Sequence, residues 1–165
     1  MKHLPGFSIR YSNVFDKAYL RDWLEPSTLL WFPMSNEKEL DDALRVWISF
    51  SRFSASLTAM INHVPCGIAT LFLMPYRKVR HHCVCKIIVD PKLRRRGIGT
   101  ALMNELFRLA KTSFQLEILH AEIFEGNPSL FLFQKMGFES FVKQDDYVKL
   151  EDGRYMARLL LEKLL

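Results

Sequence analysis

Between Phe53 and Tyr76 the chain reads FSASLTAMINHVPCGIATLFLMPY and carries no Lys, Arg, Asp or Glu. A run this long without charge has two folded solutions, a membrane-spanning helix or strands buried in a protein core. Its middle decides between them. The segment from Asn62 to Gly67, NHVPCG, is a turn signal, and both flanks are rich in β-branched and large apolar residues. The run therefore reads as two buried strands, Ser54 to Ile61 and Gly67 to Leu73, joined by a hairpin. No membrane partner is expected, and the rest of the chain must supply the layers that cover these strands.

Enough material is present to do so. A chain of 165 residues with 49% apolar and 13% aromatic side chains fits one core. Phe7 to Tyr11 alternates as a first strand, and Asp16 to Leu24 reads as a short helix. In SNEKELDDALRVWISF the apolar positions Leu40, Ala43, Leu44, Trp47 and Ile48 recur at helical spacing, with Asn36 and Glu39 as a capping pair. Cys83 to Val89 is a strand, Thr100 to Lys111 a helix, Leu116 to Phe124 a strand, and Pro128 to Met136 a helix stopped by Gly137. The end of the chain, from Tyr147, is a hairpin about Asp152-Gly153. No repeat or linker divides the sequence, which predicts one α+β domain over residues 1–165 with a mixed sheet.

Charge and cysteine narrow the partners. The net charge of +5 permits an anionic ligand, but 18 acidic residues are interspersed with 23 basic ones and the tight cluster is Arg94, Arg95 and Arg96. A nucleic-acid surface would interleave stacking aromatics with that cluster, and Val89 to Gly99 contains none, so a nucleic-acid partner is not expected. Cys66, Cys83 and Cys85 cannot all pair and form no CxxC pattern, which predicts a reducing, cytoplasmic location. The soft ligands of HHCVC, His81 to Cys85, lack a second pair at zinc spacing, so no metal is expected.

The chemistry concentrates at VDPKLRRRGIGTALMNELF, Val89 to Phe107. A strand runs through a basic turn into Gly97-Ile98-Gly99 and then directly into a helix. Glycines there let backbone N–H groups approach an anion, and the helix N-terminus adds about half a positive charge. This is a pyrophosphate cradle. It is not a P-loop, which requires GxxxxGK[ST], nor a Rossmann turn, which wants a small residue where Leu102 stands.

Arg94 to Gly99, RRRGIG after an apolar strand ending in VDP, resembles the acyl-CoA-binding motif of the GNAT acetyltransferase superfamily. EIFEGNPSLFLFQKMGFE, Glu122 to Glu139, is similar to that family's next strand and helix, with Asn127 as its asparagine and Gly137-Phe138 as its GF pair. The resemblance implies a mostly antiparallel mixed sheet flanked by helices, and acetyl-CoA as cosubstrate. It implies that pantetheine pairs along Ile87, Ile88 and Val89. The pyrophosphate then lies on the backbone of Arg95, Arg96, Gly97, Ile98, Gly99 and Thr100, with Arg94 among the phosphate-facing arginines and Asn127 and Phe133 beside the cofactor. The implied acceptor is a primary amine of a protein N-terminus, an amino acid or a small molecule, and a homodimer is an allowed assembly.

Glu122 is the candidate base. It stands five residues before Asn127, where members resembling ribosomal-protein alanine acetyltransferases carry a catalytic glutamate, and His120 shares its strand face. The plainer reading pairs Glu122 with a nearby Arg or Lys. One departure is clear: the family's thiolate-protonating tyrosine is replaced by Phe133, and the spacing from Asn127 to Gly137 is one residue short. Water, Tyr147 or Tyr155 must then donate that proton, or the domain binds acyl-CoA without catalysis. The aromatic set Trp23, Trp31, Phe32, Trp47, Phe50 and Phe53 serves as core or as the wall of an acceptor site, with Trp47 on the apolar helix stripe.

Overall fold

The computed structural model describes residues 4–165. The charge-free run forms β2 (Ser56–Ile61) and β3 (Val64–Leu73). They are joined by a two-residue turn in which Asn62 and His63 both take positive φ, 49° and 67°, as a tight hairpin with right-twisted strands requires. β3 begins three residues earlier than its sequence suggests. The register shifts between Ala59 and Met60, leaving Cys66 as the extra residue of a bulge beside Pro65, one of the few strand positions where proline is tolerated.

Around this hairpin the chain adds β1 (Phe7–Tyr11), α1 (Asp16–Trp23), α2 (Pro26–Leu29), α3 (Glu37–Ser49), β4 (His82–Val89), α4 (Ile98–Thr112), β5 (Ile118–Phe124), α5 (Leu130–Lys135), β6 (Glu139–Lys149) and β7 (Tyr155–Leu164). The seven strands form one sheet in the order β1-β2-β3-β4-β5-β7-β6. Every pairing is antiparallel except β4 with β5. The terminal hairpin is longer than expected, because β6 starts directly after Gly137-Phe138.

Both faces of the central strands are covered, which is why β2 and β3 carry no charge at any position and why the hydroxyls they do bury, Ser56, Thr58 and Thr70, are all paired. On one face α4 buries Ala101, Leu102, Leu106, Leu109 and Ala110 against Leu57, Leu71, Cys83 and Leu119. On the other, α1 and α3 bring Leu20, Trp23, Leu40, Leu44 and Trp47 onto Ile68 and Ile88. Asn36 caps α3 by accepting the Glu39 N–H at 2.9 Å, but the returning Glu39 carboxylate accepts from the Ser35 N–H at 2.7 Å, one residue earlier than in a capping box.

Beneath α1 and α3 runs a buried polar chain. The Arg10 guanidinium holds both oxygens of Asp16 at 2.8 Å, and the Thr58 hydroxyl donates to Asp16 at 2.8 Å. Ser12 bridges Thr58 at 2.8 Å and Ser56 at 2.9 Å, Ser56 meets Thr70 at 2.6 Å, and the Trp47 indole N–H donates to Thr70 at 3.0 Å. Burial opposes ionisation of Asp16, yet Arg10, the Asn13 N–H and Thr58 together hold its carboxyl below the ordinary range. No helix among the described residues is long and apolar enough to cross a membrane.

Candidate active site

The sheet opens where its one parallel pair ends. β4 and β5 are joined only through His82–Ile118, Cys83–Leu119 and Val84–His120, although β4 continues to Val89 and β5 to Phe124. Past Val84 the two strands diverge into a wedge. The carbonyl of His81 accepts from Glu117 on the β5 side at 2.7 Å, whereas the Asp90 N–H donates to Cys66 on the β3 side at 2.9 Å. Backbone groups alternate sides along a strand, so odd-numbered residues address β5 and even-numbered ones β3. Cys85, Ile87 and Val89 therefore aim N–H and C=O groups into the wedge. Ile88 does not: its backbone serves the β3 ladder and its side chain is buried with the α1–α3 layer. Of the three residues expected to pair with pantetheine, only Ile87 and Val89 present backbone to the opening.

The wedge runs toward the basic turn. Asp90 secures the start of that turn by accepting the Lys92 N–H at 2.9 Å, and Pro91–Leu93 form one 3₁₀ turn. Arg95 then adopts φ 65° and Gly97 φ 87°. Left-handed backbone is strained at arginine and easy for glycine. Gly97 is the N-cap of α4, and the first intrahelical bond runs from the Ala101 N–H to the Gly97 carbonyl at 3.0 Å. The N–H groups of Ile98, Gly99 and Thr100 precede it and so have no acceptor within the helix. Gly99 has a separate reason to be glycine, since a Cβ there would stand 2.9 Å from Leu132 Cδ2 of α5.

The arginines divide. Arg95 and Arg96 are exposed at the helix mouth. Arg94 is exposed as well but is bonded, its Nε on the Val89 carbonyl at 3.3 Å and its NH2 on Thr28 Oγ1 at 3.2 Å. It ties the turn to α2 rather than standing free beside Arg95. Asn127 also spends part of its side chain locally, Oδ1 accepting the Ser129 N–H at 2.9 Å ahead of α5.

Phe133 corrects the sequence reading. Its ring is 3% exposed and stands edge-on to Phe138, 5.1 Å between centroids, inside the core cluster of α4. It is a packing residue, and a hydroxyl added to its ring would have to be accommodated within that packing.

Glu122 lies on β5 past the last β4 pair, with its side chain 45% exposed and one carboxylate oxygen 3.4 Å from Arg158 NH1. The plainer expectation of an arginine partner is thus met while half of the carboxylate stays open. Arg158 is itself fixed, its guanidinium 3.7 Å from the Tyr147 ring centroid and its Nε donating to Gln144 at 2.8 Å. Irregular register between Gln144 and Val148 carries Tyr147 over Arg158. Tyr155 pairs with Lys149 toward the far end of that hairpin. His120 shares the Glu122 face but packs its ring on His82, 5.0 Å away. Burial, with His120 and His81 adding to it, pushes His82 down.

The sequence reading missed Lys86, two residues beyond Val84 on the same face as Glu122. Its Nζ lies 4.6 Å from the Phe72 ring centroid and 5.7 Å from that of Trp47. The signal was present as the one charge within the apolar strand CVCKIIV. The cysteines, by contrast, are unsuited to attack. All three are buried and free, and burial raises Cys66 to about 11 and Cys83 to about 12 and pushes Cys85 up as well.

Residues 17–138 match the model of the Acetyltransferase (GNAT) family. No curated protein sequence gives a match. Among solved structures, the ribosomal-protein-alanine N-acetyltransferase of Brucella melitensis is 24% identical with a TM-score of 0.79, over 96% of this chain and 99% of that one. The Staphylococcus aureus N-acetyltransferase is 19% identical with a TM-score of 0.80, over 96% and 98%. Salmonella typhimurium yncA, in a structure with its cofactor acetyl-CoA, is 19% identical with a TM-score of 0.80, over 97% and 94%. At these identities the likeness speaks for the fold, and the family model carries the assignment: the chain belongs to the acetyltransferase (GNAT) family, whose chemistry is transfer of an acetyl group from acetyl-CoA to an amine.

Proposed function

We propose that this chain, acting as one domain, acetylates a primary amine by direct attack on acetyl-CoA, with Glu122 as the base. The observation that carries the reading is the continuity of the wedge with the helix mouth. The backbone groups of Ile87 and the Val89 N–H suit the amides of pantetheine, the Val89 carbonyl being taken by Arg94, and the N–H groups of Ile98, Gly99 and Thr100 suit a diphosphate. Arg95 and Arg96 add charge for phosphate there, and Arg94 holds the turn. Asn127 orients the start of α5 beside the opening.

In the reaction the neutral amine nitrogen forms the C–N bond as the thioester C–S bond breaks. A wedge-facing N–H of Ile87 or Val89 stabilises the developing oxyanion. The proton shed by nitrogen passes to Glu122, directly or through water, and the departing sulfur takes one from water or Tyr147. An α-amine of pKa about 8 needs less help from the base than a lysine of about 10.4. A thiol of pKa about 8.5 leaves readily near neutrality, which makes Phe133 compatible with turnover. Raised thiol pKa values favour this direct route over an acyl-cysteine intermediate. The three unpaired thiols suit a reducing compartment, the cytoplasm. All groups named come from one chain, so a homodimer is not required.

The test is thiol release from acetyl-CoA against amines, amino acids and N-terminal peptides, beside CoA-dependent thermal shift. Turnover of at least one amine supports the proposal. A thermal shift without turnover of any amine would instead support a domain that binds acyl-CoA without catalysis.

A further inference from the structure

Beside the wedge, α3 and the segment before it form a cavity of about 310 Å³ lined by Phe32, Met34, Trp47, Phe72 and Lys86, with Asp42 and Val46 at its side. That volume lies at the small end of the roughly 300–1,000 Å³ of small-molecule sites. The cavity is aromatic and apolar except for the Lys86 ammonium and, on the α3 side, the Asp42 carboxylate. Among the described residues no carboxylate comes within salt-bridge distance of Lys86. Asp42 is already 3.4 Å from Arg45, and Glu122 is held at 3.4 Å by Arg158.

A half-buried ammonium resting on aromatic rings with no anion beside it is an incomplete arrangement. Burial lowers the Lys86 pKa, and the Glu122 carboxylate, near enough to be felt, works against that shift. Val84 and His120 are paired across the strands, so Lys86 and Glu122, each two residues further on, face the same side from the two lips of the wedge. A cation on one lip, an anion on the other and an apolar cavity beside the cation define a ligand with three parts.

Resting on the acetyl-transfer reading above, we infer that the acceptor is a free α-amino acid with a bulky apolar side chain. Its carboxylate completes Lys86, its side chain enters the cavity among Phe32, Met34, Trp47 and Phe72, and its α-amine faces Glu122 and the wedge. An amine without the carboxylate leaves the Lys86 ammonium without an anion, so the lysine selects for the acid. Trp47 is a fixed wall, because its indole N–H is anchored on Thr70 at 3.0 Å.

The experiment compares kcat/KM for L-leucine, L-methionine and L-phenylalanine with their amides and with the corresponding decarboxylated amines, in the wild type and in Lys86→Met. Methionine nearly matches lysine in length and is compatible with an apolar wall. The wild type should prefer each acid over its amide by at least tenfold. Lys86→Met should abolish that preference by lowering the rate on the acids, while the CoA-dependent thermal shift stays at its wild-type value. A second readout is independent of turnover: L-leucine should raise the melting temperature of the CoA complex in the wild type and not in Lys86→Met. Equal rates on acid and amide, or an undiminished preference in Lys86→Met, overturn the inference. So does turnover confined to peptides or carboxylate-free amines, which leaves acetyl transfer intact. Failure of every amine, with CoA giving no thermal shift, removes the acetyl-transfer reading itself. If CoA binds but no amine turns over, absence of the leucine shift overturns the inference.

Discussion

Gly97→Val separates the two jobs of the turn before α4, shaping the backbone and exposing its N–H groups. Gly97 sits at φ 87° and ψ 0° as the N-cap of α4, and it is exposed, so the substitution removes no packing. Its cost is the left-handed backbone, about 1–2 kcal/mol for an L-residue and at the upper end for a β-branched one. At this length 1 kcal/mol shifts the melting temperature by about 2–4 °C, which predicts a fall of about 2–8 °C in the free protein. CoA at a hundredfold excess over Kd stabilises the wild type by about 2.7 kcal/mol, a shift of about 5–11 °C. A valine side chain ahead of the Ile98, Gly99 and Thr100 N–H groups should weaken CoA at least tenfold, which cuts that shift to about 3–6 °C or less. Differential scanning fluorimetry over a CoA titration measures both quantities. A lowered melting temperature with an unchanged CoA shift would show that the strained turn matters for folding alone and that the diphosphate lies elsewhere.

Glu122→Gln should lower kcat/KM by about 10² at neutral pH with CoA affinity unchanged, and the deficit should shrink as rising pH deprotonates the amine; a pH-rate profile tests this. Phe133→Tyr should give no gain in kcat and should cost about 1–3 kcal/mol in a denaturant melt, because the 3%-exposed ring leaves an added hydroxyl no solvent to reach. Asp16 has its folded pKa below the unfolded value of about 3.9, so its stabilisation is present above that value and drains away as pH falls through the folded one; Asp16→Asn should flatten this acid limb and cost about 3 kcal/mol at pH 7 by urea denaturation. Thr70→Val should cost about 1–3 kcal/mol, since it leaves the Trp47 indole N–H and the Ser56 hydroxyl short of a partner.

Features written in local chemistry were legible in advance. The charge-free run announced the β2–β3 hairpin because burial on both faces excludes unpaired charge throughout, and Gly97-Ile98-Gly99 announced the helix mouth because only glycine takes φ 87° without strain. Strand period placed Glu122 and His120 on one face. What failed was direction where the choice depends on distant neighbours. Arg94, Arg95 and Arg96 are chemically identical in the sequence, and only the position of Thr28 on α2 gives Arg94 a side-chain partner there. The family resemblance puts Phe133 beside the cofactor, yet it packs against Phe138 in the core. The absence of an alternation signal in IIV likewise hid that Ile88 belongs to the β3 side. Lys86 stands out as the one charge in CVCKIIV, but a single lysine in a strand gains meaning only when the opposite lip of the wedge is known to carry Glu122.

The polar chain under α1 and α3 explains how a cavity wall can be rigid in a layer that also shapes substrate choice. The chain starts at Arg10 and Asp16, passes through Thr58, Ser12, Ser56 and Thr70, and ends on Trp47, so each hydroxyl is satisfied by the next and no buried polar side-chain atom among the described residues lacks a partner. Such a chain is costly when broken at any link, and that cost fixes α1 and α3 in register over β2 and β3. The acyl-donor side is organised differently. The wedge arises because β5 leaves β4 after Val84, and the helix mouth arises because two left-handed residues turn the chain into α4. On the proposed reading donor recognition rests on backbone geometry that tolerates many side chains, while acceptor recognition rests on Lys86, Phe72 and Trp47, of which Trp47 is held by the buried network. Substitutions on the α3 face can therefore alter which amine is taken without disturbing the backbone groups that receive CoA.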